Sequence, residues 1–227
     1  ALGPMKNISG ILWFWGVIVI SIFLVMPILT IILSVLEPNS DNWEHLKDTV
    51  LLEYIINSII LASGVGFGAF IIGVASAWVT SVCQFPGRNI FIWLLLLPMS
   101  MPSYIVAYTY TGMLDFSGPF QTIIRDWSGL GYGEYYFPQI RSMGGAIVMM
   151  SLVLYPYVYL LDRANFLEQT VGVIEVSRTL NCGSWSSFFR VILPLARPAI
   201  FAGLSFVLME TLADYGTVAY FGLNVFT

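Results

Sequence analysis

Glu210 and Asp214 are the only acids inside an apolar stretch of this chain, and they stand four residues apart. If that stretch crosses a bilayer, a charge there costs on the order of 2 to 3 kcal/mol or more. Such residues usually face a bundle interior or a water-filled path. At i, i+4 spacing the two share one helix face. Counting the helical rise from Pro198, Glu210 lies roughly 18 Å along and Asp214 roughly 24 Å, both in the outer half of a core about 30 Å thick. Two roles are open. The pair, with Tyr215 beside it, lines a route for a small, highly charged cation, which hard oxygen ligands suit. Alternatively, the carboxylates hold helices together through hydrogen bonds to Tyr or backbone groups. Tyr108, Tyr110 and the Pro98–Pro102 pair are further candidates for the route, although tyrosines at a span end also serve as interface anchors.

The elements that must position these residues are membrane helices. Of the residues 58% are hydrophobic and 10% charged, against about 25% charged in a soluble domain, and the mean hydropathy is +0.83. No basic run interleaved with aromatics exists, so nucleic acid is not an expected partner. Cys83, Cys182 and the single His45 form neither a disulfide framework nor a metal spacing. No metal or stably bound cofactor is expected. A phosphate-cradling GxxxxGK[ST] is missing, so any ATP is used by a partner subunit. An intramembrane hydrolase would need a nucleophile–base pair, and the spans hold neither His nor Lys.

In chain order, residues 1–4 (ALGP) precede a methionine and read as a tag remnant, leaving 5–227 as one transmembrane domain. Asn7 to Leu36 is free of charge and long enough to span. An acidic loop to Glu53 leads to a second span, Tyr54 to Val82, whose Gly64, Gly66, Gly68 and Gly73 should let helices approach closely. The third span, Ile90 to about Tyr110, carries Pro98 and Pro102, which should kink or interrupt it and free carbonyls. An outer segment, Asp115 to Met143, holds a short helix around Gln121 to Trp127; Gly144 to Leu161 is the fourth span, and a fifth starts at Ala199. The expected fold is all-α: a polytopic helical bundle of about five spans, with a sixth expected to be missing from the sequence given. With the N-terminus inside, Lys6, Arg88, Arg163, Arg178, Arg190 and Arg197 lie inside and Lys47, Arg125 and Arg141 outside, as the positive-inside rule prefers.

Between the fourth and fifth spans, residues 162–198 form a polar, cation-bearing segment on the inner side. Its pattern predicts two short amphipathic helices with a break between them. In the second, Trp185, Phe188, Phe189 and Ile192 fall on one face, Ser184 caps the start and Pro194 stops it. An aromatic stripe shown to the cytosol and tethered to membrane on both sides reads as a handle for a partner. The alternative is an interfacial helix lying on the bilayer.

The spacing within this segment resembles the cytoplasmic loop of type I ATP-binding-cassette (ABC) importer permeases: EAA, three residues, Gly, nine residues, Ile-x-Leu-Pro. Glu175-Val176-Ser177 matches the EAA, Val191 the Ile, and Leu193-Pro194 the Leu-Pro; Asn181 replaces the glycine, with Gly183 close behind. Asn is the residue that best substitutes for glycine in a left-handed conformation. The resemblance implies that Glu175, Ser177, Asn181, Gly183, Val191, Leu193 and Pro194 couple the membrane helices to a cytosolic ABC ATPase dimer. It also implies a periplasmic substrate-binding protein and a second permease half, fused or separate, in a bacterial inner membrane. Within the family, DFSGPFQ at 115–121, LPMSMPSYIVAYTY at 97–110 and ETLADYGTVAYFG at 210–222 look most like ferric-iron permeases. That implies ferric iron as cargo and a ferric-iron-binding external partner. Thiamine, polyamine and phosphonate permeases are the alternatives, and a membrane subunit without a transport path is a third class.

Overall fold

A computed structural model of the chain describes residues 5–36, 50–129, 131, 134–179 and 184–226; for residues 5–12, 31, 34–36, 169–179, 184 and 185 it describes the backbone only. His45, Cys182, Asn181, Gly183, the first four residues and most of the acidic loop lie outside the described residues. Every regular element among the described residues is helical: α1 (Met5–Leu36), α2 (Leu51–Val82), α3 (Arg88–Leu94), α4 (Ser103–Leu114), α5 (Pro119–Ser128), α6 (Met143–Thr179), α7 (Ser184–Ser187), α8 (Leu193–Leu195), α9 (Arg197–Ala213) and α10 (Tyr215–Phe221). Helices α1, α2 and α6 are each long and apolar enough to cross a membrane. Two bent pairs raise the number of candidate spans among the described residues to as many as five. The chain divides into two compact units, Ala1–Leu51 and Leu52–Thr227. Helix α1 belongs to the first, and the features that follow belong to the second.

The second unit is assembled on α6. Lipid tails are as apolar as leucine, so helices in a bilayer associate through close packing rather than by escaping water. The glycines of α2 provide that closeness. A Cβ on Gly64 would fall 2.7 Å from Ile147 Cδ1, and one on Gly73 would fall 2.7 Å from Val158 Cβ, while Gly68 abuts Ser151. From the other side, a Cβ on Gly203 of α9 would meet the Val158 Cα at 2.8 Å. Val158, fully buried, is therefore clamped between glycines of two helices. The small-residue stripe of the second span is thus a packing face.

The expected third span is interrupted, and sharply. The run Arg88–Ser100 and the run Ser103–Ser128 meet at 99°. Pro98 and Pro102 cannot donate backbone N–H groups, so carbonyls one turn back need other partners. Tyrosines of α6 supply some of them. The Tyr155 hydroxyl donates to the Leu95 carbonyl at 2.8 Å, and the Tyr159 hydroxyl donates to the Ile92 carbonyl at 3.4 Å.

Three expectations need correction. The fourth span does not end at Leu161, because α6 continues unbroken through Asp162 to Thr179. No glycine or proline interrupts 157–171, and propensity carries the helix past the membrane boundary. Pro194 does not stop the second loop helix; it sits in the first turn of α8, and the chain turns only at Ala196 (φ −79°, ψ −4°). The aromatic stripe is not displayed as a stripe. Phe188 and Ile192 are buried, Phe189 is exposed, and the Trp185 side chain lies outside the described residues.

The glycine clamp predicts that Gly203→Leu lowers the thermal unfolding temperature of the detergent-purified protein. The loss should correspond to about 1–3 kcal/mol of overpacking strain. Gly112→Ala, at a position with nothing within 4 Å, should leave it unchanged. A differential scanning measurement on both variants checks this.

Candidate functional site

The interruption of the third span opens a cavity of about 340 Å³, lined by Met99, Ser100, Ser103, Leu154, Tyr157 and Glu210 among others. Three elements meet there: the proline break, the middle of α6 and the last turn of α9. Backbone interrupted at membrane depth is tolerated where it lines a cavity or is buried in protein, and transporter sites are commonly built that way. Ser100 returns its own hydroxyl to the Leu97 carbonyl at 2.7 Å. Glu210 is exposed and lines the cavity, with the one carboxylate that the described residues bring to it.

Asp214 does different work. Helix α9 ends at Ala213, and Asp214 (φ −86°, ψ 74°) caps α10. Its Oδ1 accepts from the Thr217 N–H at 3.0 Å, and its Oδ2 accepts from the Thr217 hydroxyl at 2.6 Å. The same Oδ2 accepts from the Ser103 hydroxyl. One carboxylate therefore joins the α9–α10 corner to the first residue after Pro102. Glu210 and Asp214 consequently do not share the face of one continuous helix, as i, i+4 spacing had suggested. The second of the two roles, holding helices together, is the one Asp214's geometry has. Tyr215 is exposed and stands outside the cavity lining. Tyr108 is exposed too, with its ring 6.0 Å from that of Tyr220.

On the inner side, the loop segment is seated on an aromatic cluster. Trp78 of α2 lies 6.0 Å from Phe166 of α6, edge to face, and 4.5 Å from Phe188. Residues Phe188–Ile192 form a π-helical turn, in which the Leu193 N–H reaches back to the Phe188 carbonyl. Pro194 explains the widening: it cannot donate to the Arg190 carbonyl, and its ring crowds that group, so the register loosens by one residue. Val191, Leu193 and Pro194 are half-buried here. Glu175 and Ser177 lie in the last two turns of α6 by backbone, and their side chains, like Asn181 and Gly183 entirely, are outside what is described. Beside the cluster, Asp162 is fully buried, and among the described residues neither of its carboxylate oxygens nor the buried Ser187 hydroxyl has a hydrogen-bond partner.

Ser103, Tyr157 and Trp78 were not singled out from sequence. A hydroxyl directly after Pro102, at the start of a resumed helix, was the available signal for Ser103. Trp78 lies one turn before the end of its span, where a Trp reads as an interface anchor, so residue order gave no separate signal for it.

The outer segment folds around Arg125. Its guanidinium donates to the Phe116 carbonyl at 2.9 Å, to the Tyr135 hydroxyl at 3.0 Å and to the Thr122 hydroxyl at 3.0 Å. Tyr135 in turn donates to the buried Gln121 at 2.8 Å. A polar cavity of about 720 Å³ opens beside them, with Asp115, Gln139 and Arg141 in its wall.

Residues 69–227 match the family described as the binding-protein-dependent transport system inner membrane component. Among curated relatives, the molybdenum transport system permease protein ModB of Escherichia coli (strain K12) is 26% identical over 176 residues, covering 78% of this chain and 72% of the relative. The sulfate transport system permease protein CysT of Synechocystis sp. is 22% identical over 214 residues, 94% of this chain and 72% of its own length. A putative ferric transport system permease protein, FbpB 1 of Haemophilus influenzae, is 24% identical over 214 residues; these are 91% of this chain but 33% of that protein. This chain belongs to the matched family and is an inner-membrane permease subunit of the ABC importer type.

The Asp214 junction predicts that Asp214→Ala lowers stability by about 1–2 kcal/mol, the usual worth of a helix cap, with added loss from the orphaned Ser103 hydroxyl. Tyr215→Phe should be silent. Unfolding temperatures of the two purified variants separate the cap from its exposed neighbour.

Proposed function

We propose that this permease subunit carries ferric iron inward, with Glu210 as the acid that meets the cargo at the broken third span. The observation that carries the reading is the charge of the cavity: among the described residues that line it are one carboxylate, the hydroxyl-bearing Ser100, Ser103 and Tyr157, and no basic side chain. Oxygen donors of this kind suit a hard cation. An oxyanion such as the molybdate or sulfate that the named relatives suggest would face repulsion. At about 4 Å and an effective dielectric near 20, each unit of like charge costs roughly 4 kcal/mol. Among the described residues no three His, Cys, Asp or Glu side chains gather as a metal site. One carboxylate gives contact weak enough to permit release, which conduction requires. Asp214 and Tyr215 act at the margin of this route, Asp214 by holding the proline break against α10.

The drive comes from the inner side. In this proposal Glu175, Ser177, Asn181, Gly183, Val191, Leu193 and Pro194 form the surface gripped by a cytosolic ABC ATPase dimer. Support comes from the motif spacing and from the continuity of α6. Glu175 lies 18 residues beyond Tyr157 on one helix, roughly 27 Å of rise, so a rigid rod joins the grip to the cavity wall. A ferric-iron-binding periplasmic protein delivers the cargo at the outer segment, and a second permease half completes the path.

Two outcomes test this. In proteoliposomes holding the assembled transporter, an external binding protein loaded with ferric iron should stimulate ATP hydrolysis, while molybdate- or sulfate-loaded proteins should not. Stimulation by an oxyanion-loaded protein alone overturns the cargo assignment. Glu210→Gln should cut iron uptake by at least about tenfold, the factor for 1.4 kcal/mol, with ATPase association intact. Glu175→Ala should instead abolish stimulation and weaken co-purification of the ATPase. If both variants behave like the parent, neither residue holds its proposed role.

A further inference from the structure

A second cavity, of about 560 Å³, runs between α2 and α9, away from the site at the proline break. Its walls are Phe67 and Phe70 on one side and Phe201, Leu204 and Leu208 on the other. Among the described residues the one charged side chain in its lining is Arg197, which is exposed at one end, beside Pro194. The lining hydroxyl of Ser63 is already committed to the Ile59 carbonyl at 2.6 Å, so the groove offers apolar surface and a single cation. We infer that it binds one anionic phospholipid of the inner leaflet, with an acyl chain in the groove and the phosphate at Arg197.

Length and charge both select this occupant. From Arg197 to Leu208 the helix rises roughly 16 Å, and half of a hydrocarbon core about 30 Å thick is about 15 Å. The groove therefore spans one leaflet. Arg197 lies at the end that the cation count places inside, and a long basic side chain there reaches the headgroup level by extending along apolar surface. Basic pockets between membrane helices on that side are suited to anionic headgroups. A neutral lipid would fill the groove equally well but gain nothing from Arg197.

The location gives the lipid a consequence. Phe189, Leu193 and Pro194 form the groove's inner end, and they belong to the segment seated on Trp78. A bound acyl chain would fill the side of that segment that the aromatic cluster leaves open. This site is independent of which cargo the transporter moves.

The test uses the assembled transporter in phosphatidylcholine vesicles, with Phe67→Trp as a reporter read against the parent protein. Acyl-brominated phosphatidylglycerol should quench the added tryptophan with an association about fivefold stronger than brominated phosphatidylcholine, as one basic side chain near the surface provides. Arg197→Gln should bring the ratio to one, and Arg197→Lys should preserve it; residual quenching by phosphatidylcholine reports that the groove has kept its fold. Equal quenching by both lipids in the Arg197 protein overturns the inference. So does a preference that survives Arg197→Gln. No quenching by either lipid also overturns it, because a protein helix then fills the groove.

Discussion

The close approach of α2 and α9 to α6 is the constraint on which the rest depends. Gly73 and Gly203 press on Val158 from two sides, and Gly64 and Gly68 bring α2 onto Ile147 and Ser151. In lipid this contact is made by dispersion at short range, which any added side chain forfeits. Because α6 is held so firmly, its tyrosines stand at fixed positions. Tyr155 and Tyr159 can then serve as the hydrogen-bond donors that an interrupted neighbour needs. The proline break is stable because a rigid helix beside it supplies what the prolines removed.

That break is joined to another. Asp214 ends α9, caps α10 and accepts from Ser103, so the proline break and the α9–α10 corner share a carboxylate. A carboxylate that already accepts three hydrogen bonds, of about four it can take, is well suited to fixing geometry and less free to meet a passing ion. Glu210, one turn earlier, keeps its carboxylate for the cavity. Two acids in one apolar stretch thus divide the work by environment rather than by residue type.

At the inner end the same rigidity is passed on through rings. Trp78 links α2 and α6 to Phe188, and the π-helical turn before Pro194 lets the buried face of the loop segment settle there. Asp162 and Ser187 are buried and have no hydrogen-bond partner among the described residues, a condition that is costly to keep.

Much of this was legible in residue order. Apolar runs, the glycine stripe of 64–73 and the prolines at 98 and 102 determined membrane helices with one broken span, because each depends on local chemistry or on period; the permease family was legible through the resemblance that the Glu175–Pro194 spacing carries. The short outer helix, Pro119–Ser128, was readable for the same reason. What residue order could not determine was where local patterns yield to neighbours. The aromatics of the loop segment look identical on a helical wheel whether they face a partner or Trp78. The i, i+4 pair at Glu210 and Asp214 is one face only if the helix continues, and it ends at Ala213, where Asp214 turns to cap α10 and to accept from Ser103. Sequence determined which residues carry charge at depth; only tertiary structure decided which of them was already hydrogen-bonded, because the partners of Asp214 include one 111 positions away.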